Sequence, residues 1–305
     1  MKNNNYNINN FIILGKKFYG ERNIDRALEF YNKAYMLLGE NKDIELLLDM
    51  AIIYDEIEQY ENAKFKFEEI LRIDSMEPRA YYGLGIIYDT LEDNEKAAYY
   101  YEKAIEYNPY YNRAYFFLAN VYQDMNRLKE AIECYEKVIE LDKEDFWAYT
   151  NLSNIYEEIG EYEKAKAILV HSLSIEPDHY MALFNMAVVL MHLGKEAEAI
   201  EHYKKSIRSN MKFPYGYLNL AVIYKNKGDY GVAIKIITQG IISNSEEGFL
   251  YYNRACFYAK IKEYSKALKD LEAAIKLYPD FLEYAAEDED LKTLSEFHAY
   301  NKFSK

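Results

Sequence analysis

Alanine stands at residues 27, 63, 97, 131, 165, 199, 233 and 267, and from Ala63 onward the interval is 34 residues every time. A fixed period of this length means a stack of like supersecondary units, because one such unit cannot bury its apolar face without a neighbour. The pattern is clearest in residues 78–111, PRAYYGLGIIYDTLEDNEKAAYYYEKAIEYNPYY. With Pro78 as position 1, bulky residues fall at positions 4, 7, 11 and 24 (Tyr81, Leu84, Tyr88, Tyr101). Small residues fall at 8, 20 and 27 (Gly85, Ala97, Ala104), and a proline at 32 (Pro109).

Eight copies follow from this template: 8–41, 44–77, 78–111, 112–145, 146–179, 180–213, 214–247 and 248–281, with Lys42 and Asp43 as two extra residues after the first. Inside each copy the apolar spacing is helical, with a break near positions 15–17. Gly160, Gly194 and Gly228 occupy position 15, where a helix end favours a left-handed residue. Pro109, Pro177 and Pro279 at position 32 close the second helix. Each copy is therefore expected to be a helix–turn–helix hairpin, its small residues letting helices approach and its bulky ones filling the space between. Residues 1–7 read as a polar tail, and 282–305 as a capping helix whose acidic run Glu287–Asp290 starts its second part.

Composition narrows the function. Half the residues are hydrophobic, with only 12 glycines and 5 prolines, which excludes disorder and favours helix. A formal charge of −14 argues against nucleic acid and anionic lipid as partners, since both call for clustered Lys and Arg. The only apolar run near the N-terminus is Phe11–Leu14, too short for a secretory signal, and no stretch approaches a membrane span; a cytoplasmic location is expected. Cys134 and Cys256 lie at non-equivalent positions and indicate no disulfide framework. The 34 tyrosines exceed what the repeat positions need, and Tyr99 and Tyr111 are among the surplus.

The spacing of aromatic, small and proline positions resembles the tetratricopeptide repeat family over residues 8–281. The resemblance implies an all-α, right-handed superhelical solenoid of antiparallel helix hairpins. It also implies that positions 2, 5, 6, 9, 12 and 13 of each first helix face a concave groove. This chain departs from the family at position 4, mostly Tyr and never Trp, and at position 7 of the last copy, where Arg254 takes a leucine site.

Carried onto this sequence, position 6 of the last four copies is Asn151, Asn185, Asn219 and Asn253, with Asn120 and Asn154 adding amides at position 9. A primary amide both donates and accepts, so it can pair with a peptide backbone whatever the peptide's side chains. The array is similar to the asparagine ladders by which superhelices of this family hold extended peptides, although asparagine is also the commonest residue at that position. Trp147 and Tyr215 at position 2 are candidate anchors for ligand side chains, and Tyr82 joins them; Phe116 and Phe184 read better as packing.

Glu45, Asp49, Asp55, Glu56, Asp89, Asp124, Glu157 and Glu158 make much of the groove acidic, which suggests a ligand with a basic segment. Arg79 and Arg113, equivalent residues in adjacent copies, either pair with groove carboxylates or grip a carboxylate of a ligand. The carboxylate clamp of cochaperones is not reproduced around Asn253, because Leu218, Val222, Glu283 and Glu287 stand where its cations and amide would be. The five histidines lack metal-ligand spacing, and phosphate loops and nucleophile elbows are absent. No enzyme activity, cofactor or metal is expected.

The sequence thus predicts a non-enzymatic scaffold binding an extended peptide or unstructured protein segment. Two alternatives are a peptide-signal receptor that regulates a partner protein and a module that self-associates through exposed tyrosines. Such receptors carry an N-terminal effector module, and seven residues precede the first copy here.

Overall fold

The computed structural model describes residues 2–292 and 294. They divide into two compact units, 1–148 and 149–305. In the first, hairpins form from α1 (Lys2–Gly20) with α2 (Ile24–Leu38), α3 (Ile44–Glu56) with α4 (Tyr60–Ile73), α5 (Pro78–Thr90) with α6 (Asn94–Tyr107) and α7 (Asn112–Asp124) with α8 (Leu128–Leu141). The unit boundary falls within α9 (Phe146–Glu158), which is followed by α10 (Tyr162–Ile175). The second unit continues with α11 (Tyr180–His192) and α12 (Glu196–Ser209), α13 (Pro214–Asn226) and α14 (Tyr230–Ser243), then α15 (Gly248–Lys260) and α16 (Tyr264–Leu277), and ends in the short α17 (Phe281–Glu287).

The eight periodic alanines are all fully buried. Each sits where two helices cross too closely for a larger side chain. Around them pack the bulky residues of positions 7 and 24, among them Leu84, Leu152, Tyr31, Tyr101 and Tyr135, all nearly inaccessible.

The turn inside every hairpin has one geometry. Position 15 is left-handed in all eight copies: φ is +79°, +71° and +78° at Gly160, Gly194 and Gly228, and between +58° and +62° at Arg22, Glu58, Glu92, Asn126 and Lys262. The backbone closes the same way each time; at Gly160, for example, the Gly160 N–H bonds the Glu157 carbonyl at 3.0 Å and the Glu161 N–H bonds that of Tyr156 at 2.8 Å. Gly160→Ala is expected to lower stability by about 1 kcal/mol, since a Cβ is disfavoured at that φ. Glu92→Gly, at the equivalent turn, should show no such loss. Denaturant midpoints of the two variants test the pair.

In four copies the second helix ends on a side-chain device at the residue before the proline position. At position 31, Asp74, Asn108, Asp142 and Asn210 each accept a bond from the N–H two residues on (2.9–3.1 Å). These side chains turn the chain towards the next hairpin whether or not proline follows.

Both termini differ from expectation. Residues 2–7, expected as a tail, belong to α1, whose Ile8 is buried beside Tyr31 and Ala34; packing of the helix carries its regular backbone outward past the apolar stripe. Among the described residues the expected C-terminal capping helix is represented by the seven-residue α17. Beyond α17 the chain turns, and Leu291 and Leu294 are buried in the core of the last hairpins. Asp288 does not cap a further helix: it accepts from the Asp290 N–H at 2.8 Å and from the Tyr252 hydroxyl at 2.7 Å. Residues 295–305 of the expected cap lie outside the described residues.

Candidate ligand-binding face

First helices present positions 6 and 9 side by side, because residues three apart share a helix face. In the second unit this brings Asn154, Asn185 and Asn219 to one cavity of ≈ 350 Å³, with Glu157, Phe184 and Val188 in its wall. The Asn185 Nδ2 donates to Asn154 Oδ1 of the preceding repeat at 2.6 Å. That bond uses one donor and one acceptor, so the Asn185 carbonyl and the Asn154 amide nitrogen retain hydrogen-bonding capacity. The Asn219 Nδ2 donates to the Tyr203 hydroxyl at 3.4 Å, a long bond that a better acceptor would displace.

The remaining amides are placed differently. Asn253 donates to the Phe249 carbonyl of its own helix at 2.8 Å, so its nitrogen points back along α15. Asn151 does not line the cavity of the other three. Asn120, in the first unit, accepts the hydroxyl proton of Tyr135.

Buried tyrosines at position 24 thus carry a polar end into the groove positions. Tyr31 donates to Asp49 and Tyr101 to Asp89, both at 3.2 Å, beside the Tyr135–Asn120 and Tyr203–Asn219 bonds. Sequence reasoning assigned position 24 to the core. The signal for its second role is the choice of Tyr over Phe or Leu at a buried site, since a buried phenol requires a partner.

The aromatic candidates separate by exposure. Trp147 is 46% exposed and Tyr215 51%, the former edge-on to Phe146 at 5.3 Å and the latter stacked on Phe249 at 5.4 Å. Phe184 packs edge-to-face on Tyr203 and Phe213, and Phe116 on Tyr135 and Phe117. Tyr82 lies against Tyr111 at 4.9 Å and lines two adjoining cavities of the first unit, of ≈ 310 and ≈ 290 Å³.

The two arginines are not equivalent in their surroundings. Arg79 makes two bonds to Glu77 and one to Glu45, all at 2.8 Å, and these hold the Glu77 carboxyl below its usual range. Arg113 lines both cavities. The ≈ 290 Å³ cavity also has Glu45, Asp49 and Asp55 in its wall. Burial pushes the Asp55 carboxyl up, so a cation arriving in this cavity would favour its charged form; burial together with Asp124 likewise pushes up that of Asp89, which is not in the cavity wall.

At the C-terminal end the groove lysines are already engaged. Lys225 and Lys260 both reach Asp290, at 3.7 and 2.6 Å. The Cys256 thiol is buried against Asp288, which together with burial raises its pKa, and burial pushes Cys134 up to about 12; both are packed thiols rather than nucleophiles. Among the described residues no group of His, Cys, Asp and Glu could hold a metal, and no helix is long and apolar enough to cross a membrane. His298 lies outside the described residues.

Comparison with solved structures shows the same helical-repeat fold. The chain superposes on the APC/C hetero-tetramer Cut9–Hcn1 with a TM-score of 0.56 at 16% identity, over 95% of this chain and 55% of that one. Against PilF of Pseudomonas aeruginosa the score is 0.56 at 24% identity, covering 69% of this chain and 97% of that one. A MamA protein gives 0.52 at 20%, over 55% and 92% respectively. No curated protein matches the sequence. Profiles described as "Tetratricopeptide repeat" match residues 78–111, 113–145, 134–167, 166–212, 214–241 and 248–281. These tile most of the chain in the period read from its alanines, and the hairpins of residues 2–73 repeat the same geometry ahead of them: the chain belongs to the tetratricopeptide repeat family.

Proposed function

We propose that this protein is a non-enzymatic interaction scaffold that holds an extended peptide or unstructured protein segment along the exposed face of its first helices. The convergence of Asn154, Asn185 and Asn219 on one cavity carries this reading. Amides in adjacent repeats can take both the N–H and the carbonyl of a strand-like backbone. Asn151 stands outside that cavity, and Asn253 must first release its own helix carbonyl. Trp147 and Tyr215 supply exposed aromatic area for ligand side chains. The buried carboxylates at Asp55 and Asp89 favour a basic residue in the bound segment.

The test is selection of peptides from a random display library on the purified chain, repeated with the Asn185→Ala, Asn219→Ala double variant. Selected peptides should lose about tenfold or more in affinity, the equivalent of two hydrogen bonds. Unchanged affinity would remove the amide row from the mechanism. Light scattering over a concentration series separates this reading from self-assembly.

A further inference from the structure

Position 2 of successive repeats reads Glu45, Arg79, Arg113, Trp147. Arg79 is neutralised by the residue two before it, Glu77, and by position 2 of the repeat before, Glu45. Moving one repeat along replaces Glu77 by Tyr111 and Glu45 by Arg79 itself. Arg113 therefore occupies the same place with a phenol and a cation where its predecessor has two carboxylates. Among the described residues it has no ion pair and no hydrogen bond.

Beside Arg113 lies the ≈ 310 Å³ cavity walled by Tyr82, Phe116, Phe117 and Trp147. Asn112 is also in the wall, and its Oδ1 is buried without a hydrogen-bond partner. A buried acceptor left unmatched is costly unless a donor arrives. The cavity thus combines an apolar aromatic volume, a cation and an acceptor. Asp145 lines it too, with one oxygen accepting the Ala148 N–H at 2.9 Å.

We propose that this cavity is a sequence-reading subsite. It takes a bulky apolar side chain of the bound segment, the acidic side chain next to it pairs with Arg113, and a backbone N–H of the segment bonds Asn112 Oδ1. The inference rests on the peptide-binding reading above and adds which residues are read. The carboxylate is that of an internal residue: the adjoining acidic cavity shares Tyr82 and Arg113, so the binding face continues past the cation instead of ending at it. A phosphate dianion is disfavoured, because Asp145 on one side and Glu45 and Asp49 on the other oppose a second negative charge. Next to those same acids a basic residue can follow, so the expected ligand alternates in charge around one bulky apolar residue.

The experiment is random-peptide display on the wild-type chain and on Arg113→Glu, followed by titration of synthetic peptides carrying Glu-Phe, Gln-Phe or Lys-Phe at the enriched position. Wild type should enrich an acidic residue beside a bulky apolar one, and Arg113→Glu should replace the acid by a base. In titration Arg113→Gln should weaken the Glu-Phe peptide about three- to tenfold, the range for a partly exposed charge-assisted bond, and leave the Gln-Phe peptide unchanged. Trp147→Ala should weaken both. Enrichment without an acidic–apolar step, or equal losses for Glu-Phe and Gln-Phe in Arg113→Gln, overturns the proposal. The Asn185→Ala, Asn219→Ala variant keeps the two readings apart. Binding lost there but indifferent to Arg113 and Trp147 refutes only the subsite. The reverse pattern refutes only the amide row, and no enrichment at all refutes both.

Discussion

Replacing Asp270 by alanine is expected to lower stability by about 3–5 kcal/mol, because it strands a buried guanidinium. Arg254 stands at position 7, which is Leu or Met in the other seven copies. Its Nε and Nη2 bond the two oxygens of Asp270 at 2.6 and 2.8 Å, and its Nη1 bonds Thr238 Oγ1 at 2.9 Å. The side chains are only 15% and 8% exposed, so water cannot take over for a lost partner. The double variant Arg254→Leu, Asp270→Leu should return close to wild type or exceed it, since both charges leave together and leucine is the ordinary choice at position 7. Stability is additive by repeat and interface in such stacks, so the loss in Asp270→Ala should appear as faster amide exchange in α15 and α16 as well as in the denaturant midpoint. A midpoint within experimental error of wild type would show that the pair is not the buried unit described.

Gly83→Asn is expected to cost about 1–3 kcal/mol by overpacking, although it installs the residue found at position 6 in the last four copies. A Cβ on Gly83 would sit on the Phe67 ring, well inside van der Waals contact with three of its carbons. Phe67 is itself buried in the core of the second and third hairpins. Shortening it in the double variant Phe67→Leu, Gly83→Asn should recover part of the loss. Thermal unfolding of the single variant at the wild-type midpoint would mean that the ring moves freely. An amide is excluded from position 6 of this repeat for a packing reason: the neighbouring hairpin fills the space that a side chain would need.

The choice between the two readings of the arginines shows what a sequence carries and what it omits. As residues of one repeat, Arg79 and Arg113 are identical. They differ through residues 34 positions away and through the residue just ahead of each helix, where glutamate has become tyrosine. The consequence is visible once Glu77 and Glu45 are seen to close on Arg79 at 2.8 Å. The amides behave alike. Position 6 is the same residue in four copies, yet Asn185 reaches across to Asn154 of the preceding repeat while Asn253 turns to a carbonyl of its own helix. Rotamers of exposed polar side chains are separated by little energy, and the neighbours decide among them.

The sequence by itself determined the helical hairpins and their period, the buried alanine at every crossing and the left-handed glycine at three of the turns. These features rest on contacts within one hairpin or with the next, so they are local along the chain and are written repeatedly. Only the tertiary structure decided that Asp270 answers Arg254, that Phe67 excludes a side chain at Gly83, that core tyrosines carry their hydroxyls to Asp49, Asp89 and Asn120, and that the acidic segment after α17 takes up Lys225 and Lys260. Each of these is a pairing of side chains across helices, where packing selects the partner.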